Sequence, residues 1–255
     1  MKFRIDSSGF FLREENRGSV TMMNLETNQV VYINATGRRV FDRCDETVDF
    51  DEFIDGLDYP SVGREKLCDD YKKLLIKLYA NGFAALTGIE RRAEDGCFIA
   101  APEDIDALSS FLRAACSNAN SCAAAVSPVY YSRYAVYSRI LNGQTPYLYL
   151  QRGGRIIAAA DAQAAALGLG ESVVSLGSFF FDEKLSGDEC GNAVKELTEL
   201  AAAAARQSAS KLRYMYMNPR QDKIVQTLVQ IGFRNTAVLE KEVNGRDLCL
   251  YDLFI

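Results

Sequence analysis

The chain has 255 residues, a formal net charge of −5 and a hydrophobic share of 48 %. This length fits one large domain or two ordinary ones, and the hydrophobic share is sufficient for a packed core. Histidine is absent, which excludes Ser-His-Asp and Cys-His catalysis and most zinc enzymes. The negative charge disfavours a nucleic-acid partner, because neutralising phosphates requires a basic face.

Seven cysteines are scattered along the chain without a CxxC pair. This pattern predicts buried reduced thiols rather than a disulfide framework, and no metal site is expected. No apolar run approaches the roughly 20 residues of a membrane helix, and Met1 to Asp6 do not lead into an apolar signal segment. The sequence therefore predicts a cytoplasmic protein without a membrane partner.

Residues 1–88 are predicted to form one small domain. The expected strands are 9–13, 19–24 and 29–33, and the expected helices are 36–44, 51–57 and 63–81. Thr27-Asn28 has the chemistry of a turn between the last two strands, and Gly82 is placed to end the last helix. The stretch 41–60 holds eight Asp or Glu residues with Arg43 as its one basic residue, which argues against DNA as a ligand.

Residues 89–96 are polar and flanked by glycines, which predicts a linker, and 97–255 are predicted to form a second domain. Its expected elements in chain order are a strand at 97–101, helices at 102–115 and 129–141, strands at 147–151, 155–161 and 172–181, a helix at 191–208, a strand at 212–217, a helix at 222–231 and strands at 239–243 and 248–254. Arg152-Gly153-Gly154 and Asn244-Gly245 are hairpin signals.

Two local patterns accompany this order of elements. Phe179-Phe180-Phe181 ends an apolar strand and is followed by the glycine-containing turn Ser186–Gly191, and Asn218 is followed by a helix that ends in Gly232-Phe233. Together with the order of strands and helices, these patterns resemble GNAT-type N-acyltransferases over residues 97–255. The closing segment, 240–251, weakly resembles the tail of beta-lysine N-acetyltransferases, a branch of that family.

The resemblance implies that acetyl-CoA or another acyl-CoA binds at a splayed central strand, whose exposed backbone groups bond to the pantetheine arm, and at the turn after it. The cofactor-binding residues would be Phe179, Phe180, Phe181, Gly187, Gly191, Asn192 and Asn218. Backbone N–H groups and the positive N-terminus of the next helix would face the pyrophosphate. The sequence departs from the family pattern at Ser186, at Glu189 in place of a glycine, and at Leu228 in place of the tyrosine that serves as the general acid.

Catalysis in such a domain would require a group that removes a proton from the acceptor amine. Glu171, Asp182 and Glu183 flank the strand that carries the three phenylalanines and are the candidate bases. Tyr251, or alternatively Tyr214 or Tyr216, could replace the missing tyrosine as the acid.

The N-terminal segment carries a second pattern in Val30-Val31-Tyr32-Ile33, Asn34-Ala35-Thr36-Gly37 and Asn81-Gly82-Phe83. It resembles a PqqD-type domain, the RiPP recognition element, over residues 1–88. That resemblance implies a small winged-helix shape that binds the leader of a precursor peptide as an added strand. The peptide-binding residues would be Val30, Val31, Tyr32, Ile33, Tyr71, Leu74 and Leu78.

The expected fold class is therefore α+β with two domains, a winged-helix-like domain followed by a GNAT-type mixed sheet flanked by helices. The predicted function is an acyl-CoA-dependent N-acyltransferase that acts on a ribosomal peptide or a small-molecule amine. The alternative is a non-catalytic adaptor in which the transferase fold is a scaffold, and the first domain binds a peptide or a partner modifying enzyme.

Overall fold

The computed structural model describes residues 1–25, 29–88, 92–123, 127–142, 146–166, 172–206, 209–217, 221–243 and 245–255. The chain divides into two compact units, unit 1 (Met1–Arg91) and unit 2 (Arg92–Ile255). Gly96, which the sequence analysis placed in the linker, is the first residue of a strand. The predicted turn at Thr27-Asn28 lies outside the described residues.

The described residues of unit 1 form two small antiparallel sheets and two α-helices. Its elements are β1 (Lys2–Arg4), β2 (Phe10–Glu14), β3 (Val20–Asn24), β4 (Val30–Ile33), β5 (Val48–Asp49), α1 (Phe50–Asp55), α2 (Arg64–Ala80) and β6 (Ala85–Thr87). One sheet has the order β2-β3-β4 and the other has the order β5-β1-β6. The sequence analysis missed β1, β5 and β6 because strands of two or three residues carry almost no periodicity.

The core of unit 1 forms where alternate residues of β3 and β4 meet α2. Val20 and Met22 of β3 and Val31 and Ile33 of β4 are buried, together with apolar residues spaced along α2. The helix predicted at 36–44 is only a short 3₁₀ turn, Gly37–Phe41. Its few apolar residues leave it without a face to bury, which explains why a full α-helix does not form.

Unit 2 is built around one large sheet. Its elements are β7 (Gly96–Ile99), α3 (Ile105–Ala115), α4 (Arg133–Asn142), β8 (Tyr147–Arg152), β9 (Arg155–Ala166), β10 (Ser172–Phe181), α5 (Gly187–Ala205), β11 (Lys211–Tyr216), α6 (Asp222–Ile231), β12 (Arg234–Val243) and β13 (Arg246–Phe254). The seven strands have the order β7-β8-β9-β10-β11-β13-β12. The pair β10–β11 is parallel and the other pairs are antiparallel.

Helices cover both faces of the sheet, because successive side chains of β10 pack against helices on opposite sides. Phe179 and Phe181 pack in a core with α5 and α6, whereas Phe180 packs in a second core with α3. Two neighbouring side chains of a strand point to opposite faces, so a run of three phenylalanines serves both cores. The predicted α+β class, with a mixed sheet flanked by helices, is confirmed, while the winged-helix shape of unit 1 stays a prediction.

Two helices of unit 2, α4 and α5, begin at other residues than the sequence predicts. Tyr-rich residues predicted as one helix at 129–141 form a 3₁₀ turn at Pro128–Tyr131 followed by α4. Helix α5 begins at Gly187, four residues before the predicted start. Among the described residues no helix is long and apolar enough to cross a membrane.

Candidate functional site

The outer edge of β4 in unit 1, with which no described strand pairs, is the first candidate site. The Asn24 N–H donates to the Gln29 carbonyl (2.9 Å), and the register continues with Met23 opposite Val30 and Met22 opposite Val31. Opposed residues of antiparallel strands alternate between hydrogen-bonded and non-hydrogen-bonded pairs. The backbone N–H and C=O groups of Val31 therefore bond to β3. Those of Val30 and Tyr32 point away from β3, to the outer edge of the sheet.

A groove of about 650 Å³ runs between this edge and α2. It is lined by Tyr32, Ile33, Asn34, Thr36, Gly37, Tyr59, Val62, Lys66, Leu67, Asp70, Tyr71 and Leu74. Its floor is largely aromatic and aliphatic, and Lys66 and Asp70 form an ion pair of 3.5 Å at its rim. An open ladder beside an apolar groove is the arrangement that accepts an extended peptide as an added strand.

The peptide-binding residues predicted from the sequence fall into two groups. Val30 and Tyr32 are 60 % exposed, and Leu74 is partly buried in the wall of the groove. Val31, Ile33, Tyr71 and Leu78 are buried, and Leu78 lies in the core of unit 1. The role of these residues in peptide binding stays a prediction.

Tyr71 and Gly37 shape the groove. The Tyr71 hydroxyl donates to the Thr36 carbonyl (2.7 Å), and burial, with a further contribution from Tyr59, raises the pKa of Tyr71, so the phenol keeps its proton at neutral pH. A Cβ on Gly37 would lie 2.8 Å from Ile33 and 2.9 Å from Leu74, which explains the glycine. The sequence analysis did not select Tyr59 or Gly37 as site residues.

The second candidate site is the point where β10 separates from β11 in unit 2. The two strands pair from Val173 and Lys211 through Leu176 and Tyr214. The register of β10 against β9 then shifts between Leu176 and Phe179. After this bulge no described residue of β10 pairs with β11, and the resemblance to an acyltransferase predicts such a separation at the cofactor-binding strand.

This edge is bonded to another segment of the same chain, residues 118–122. The Cys122 N–H donates to the Phe179 carbonyl (N···O 2.8 Å), and the Phe179 N–H donates to the Cys122 carbonyl (N···O 3.1 Å). The Phe181 N–H donates to the Ser121 hydroxyl (3.0 Å), and the Asn118 amide donates to the Phe181 carbonyl (2.9 Å). In this arrangement the backbone groups of Phe179 and Phe181 on this edge already have partners within the chain, and their role in cofactor binding stays a prediction.

The glycine-containing turn expected at Ser186–Gly191 is the first turn of α5. Ser186 caps the helix, since its hydroxyl accepts from the Glu189 N–H (3.4 Å), and the Glu189 carboxylate accepts from the Ser186 N–H (2.8 Å) and hydroxyl (2.7 Å). This capping box explains the early helix start. It also occupies two of the N–H groups that the resemblance assigned to a pyrophosphate.

The cap predicts a pH-dependent contribution to stability. Hydrogen bonds from the Ser186 N–H, and then from its hydroxyl, hold the pKa of Glu189 below its ordinary value. The cap therefore stabilises the fold at pH values above the pKa of a glutamate in the unfolded chain, which is about 4.3. This contribution is lost as the pH falls through the lower pKa of Glu189 in the folded state. We expect Glu189→Ala to lower the denaturant midpoint at pH 7 and to approach the wild type near pH 3. Glu189→Gln, which keeps an acceptor, should change the midpoint less, and a pH-independent Glu189→Ala difference would contradict this role.

A groove between α5 and α6 lies beside this turn. It comprises a cavity of about 350 Å³, which Phe181, Gly187, Cys190 and Gly191 help to line, and one of about 610 Å³. Lys195 and Lys223 line the larger cavity, and Asn192, a predicted cofactor residue, lies in it. A Cβ on Gly187 or Gly191 would meet its nearest neighbour at 3.7 or 3.5 Å, so neither glycine is required there by crowding within the chain.

The candidate catalytic residues are dispersed. Asp182 shapes the loop after β10, since its carboxylate accepts from the Lys184 N–H (2.9 Å) and its carbonyl accepts from the Leu185 N–H (3.2 Å); Glu183 is exposed beside it. Tyr251 is partly buried and packs edge-on against Tyr216. Glu171 and Asn218 lie outside the described residues.

The other two tyrosines keep their protons. Tyr214 is fully buried and its hydroxyl accepts from the Gln221 side chain (3.0 Å), and burial raises its pKa. The Tyr216 hydroxyl donates to the Asp222 carboxylate (2.7 Å), which raises the pKa of Tyr216 to about 12. Leu228, at the position of the family tyrosine, is a core residue.

The sequence analysis missed Asp161, which lies at the bulge of β10. Its carboxylate accepts from the Ser178 N–H (2.7 Å), and burial raises its pKa. A Cβ on Gly177 would lie 1.9 Å from Asp161 Oδ1, so the missing side chain makes the space for the carboxylate. One signal for this site was available in the sequence. Asp161 is the acidic residue of the alanine-rich strand β9, and Gly177 lies in the next strand, β10. Among the described residues no group of three potential metal ligands occurs.

No family model matches this sequence, and the comparison with curated proteins finds no match. Solved structures with partial similarity include a putative acetyltransferase of the GNAT family from Desulfovibrio desulfuricans (TM-score 0.49, 11 % identity, 63 % of this chain and 99 % of that chain). Two others are a ribosomal-protein-alanine N-acetyltransferase from Brucella melitensis (0.48, 16 %, 62 % and 99 %) and a polyamine N-acetyltransferase from Drosophila melanogaster (0.45, 13 %, 64 % and 100 %). Similarity at this level does not assign the chain to a family.

Proposed function

We propose that this protein is an N-acyltransferase homologue whose unit 1 binds an extended peptide. The observation that carries the proposal is the open ladder of Val30 and Tyr32 beside the apolar groove. The peptide adds to β4 as a strand, and its apolar side chains enter the groove along Leu67, Tyr71 and Leu74. A precursor peptide of the kind that a RiPP recognition element binds, or a segment of a partner modifying enzyme, is the proposed ligand.

A displayed library of random peptides, selected on the full-length protein, tests this function. We expect enrichment of peptides that alternate apolar and polar residues, since one face of an added strand meets the groove and the other meets solvent. Tyr59→Ala, which removes an aromatic wall of the groove, should weaken the selected peptide. Enrichment of no sequence, or of sequences unaffected by Tyr59→Ala, would contradict the proposal.

A second function, acyl transfer from acyl-CoA to an amine, is favoured by the groove between α5 and α6. Lys195 and Lys223 supply positive charge beside Gly187 and Gly191, and an anion at a helix N-terminus is stabilised by the helix dipole. Asp188 and Glu189 in the same turn oppose an anion. Acyl-CoA supplies the activated acyl group, and Asp182, Glu183 and Tyr251 remain the proposed acid–base residues of this chain.

Calorimetric titration with acetyl-CoA and longer acyl-CoAs tests the second function. We expect Lys195→Gln/Lys223→Gln to weaken binding by roughly tenfold at low salt, because charge-assisted bonds to phosphate are among the stronger polar contacts. Lys184→Gln/Lys241→Gln, which removes two positive charges from exposed residues outside the groove, is the charge-matched control. No heat from the wild type, or from a variant in which residues 118–122 no longer bond to the edge of β10, would leave unit 2 as the scaffold of a non-catalytic adaptor.

A further inference from the structure

The segment that bonds to the edge of β10 conflicts with the proposed acyl-CoA site. In unit 2 the edge of β10 after the bulge is the place where the resemblance puts the arm of the cofactor. Residues 118–122 instead pair with it through the two backbone bonds of Cys122 and the side-chain bonds of Ser121 and Asn118. The Asn120 amide adds a longer contact to the Leu185 carbonyl (3.5 Å).

The segment combines features of a bound strand with features of a short local turn. Its backbone pairs with β10 at a single position, Cys122 opposite Phe179. Its first residues continue from the end of α3, since the Asn118 N–H donates to the Ala115 carbonyl (3.0 Å) and the Ser121 N–H donates to the Asn118 carbonyl (3.1 Å). Two of its bonds to β10 come from side chains, and these can be removed without changing the backbone.

We infer that residues 118–122 are an internal competitor that occupies the edge of β10 and must leave before an acyl-CoA can bind there. The inference rests on the second proposed function, whose site it regulates. Displacing the segment costs the ligand part of its binding free energy, so the apparent dissociation constant equals the intrinsic one divided by the fraction of molecules in which the edge is open. Removing bonds of the segment therefore tightens binding, and fixing the segment in place prevents it.

The first test removes the two side-chain bonds with Asn118→Ala/Ser121→Ala. We expect faster amide hydrogen exchange at Phe181, whose N–H loses its acceptor, and an affinity for acetyl-CoA about tenfold higher, because each hydrogen bond contributes a few-fold to the closed state. Asn235→Ala, on the exposed strand β12, is the matched control and should change neither quantity.

The second test fixes the segment with Phe179→Cys. Hydrogen-bonded residues on antiparallel strands have Cα atoms about 5.5 Å apart, which is within the range of a disulfide. The bond between Cys122 and the new thiol closes the edge on oxidation and reopens it with dithiothreitol, so the reduced variant is its own control. We expect the oxidised form to bind acetyl-CoA at least tenfold more weakly than the reduced form, and only these two forms are compared with each other because the replaced ring of Phe179 is fully buried.

The outcomes separate this inference from the function on which it rests. If the double variant binds acetyl-CoA with the affinity of the wild type, and the oxidised form of Phe179→Cys binds it as its reduced form does, the competitor is overturned and the second proposed function stands. If no form binds although the Phe181 amide exchanges faster in the double variant, both are overturned, and the segment is a permanent part of the fold. Tighter binding by the double variant, lost in the oxidised form of Phe179→Cys, supports both.

Discussion

Tyr32→Pro should reduce the affinity of unit 1 for a selected peptide by about 10- to 100-fold. The Tyr32 N–H points to the open edge, and proline there removes the donor and leaves a peptide carbonyl without a partner in a partly buried ladder. Proline is tolerated on an edge strand where the lost N–H faces outward, so the variant should remain folded. Fluorescence anisotropy with the labelled peptide measures the change.

Two controls isolate the backbone donor from the side chain. Tyr32→Ala removes the same exposed ring but keeps the N–H, so it should bind the peptide more tightly than Tyr32→Pro. Val31→Pro interrupts the existing pair with Met22 of β3 and should lower the unfolding midpoint, which separates damage to the sheet from loss of the added strand. Equal affinities of Tyr32→Ala and Tyr32→Pro would contradict binding by strand addition.

Gly177→Ala should lower the stability of unit 2 by about 2–3 kcal/mol. The three atoms nearest to a new Cβ all belong to Asp161, at 1.9, 3.0 and 3.6 Å. The carboxylate must move, which breaks its bond from the Ser178 N–H and crowds a packed bulge. A loss of this size corresponds to a fall in melting temperature on the order of 10 °C, which circular dichroism measures.

A double-mutant cycle with Asp161 tests whether the carboxylate is the cause. Asp161→Ala leaves the Ser178 N–H without its acceptor and should be destabilising alone. In that background Gly177→Ala should cost little, because the atoms that it would meet are gone, so the two changes should be strongly non-additive. If the losses of stability caused by the two substitutions simply add, the destabilisation by Gly177→Ala would instead arise from the backbone of β10.

The positions of α2 and β10 could be predicted from the sequence, whereas the start of α5 could not. Helix α2 and strand β10 follow regular apolar patterns, and their positions were expected to within one or two residues. The start of α5 was expected at Gly191 because the glycines were read as a phosphate turn. Ser186 and Glu189 form a capping box there, and this pattern was present in the sequence but was not used.

Contacts between distant parts of the chain could not be predicted. The small polar stretch around Asn118 and Ser121 has no periodicity, and nothing in it shows that it bonds to β10 more than 50 residues later. Likewise, the register of β4 decides that Tyr32 rather than Val31 has the outward N–H, and register depends on the pairing of β3 and β4 rather than on composition.

Site-resolved amide hydrogen exchange of the full-length protein, measured with and without the selected peptide, tests strand addition at β4 most directly. We predict that exchange slows at Val30 and Tyr32, because their N–H groups gain partners. Exchange should change little at Val31 and Ile33, because their N–H groups already donate to β3. Tight peptide binding with unchanged exchange at Val30 and Tyr32 would contradict it.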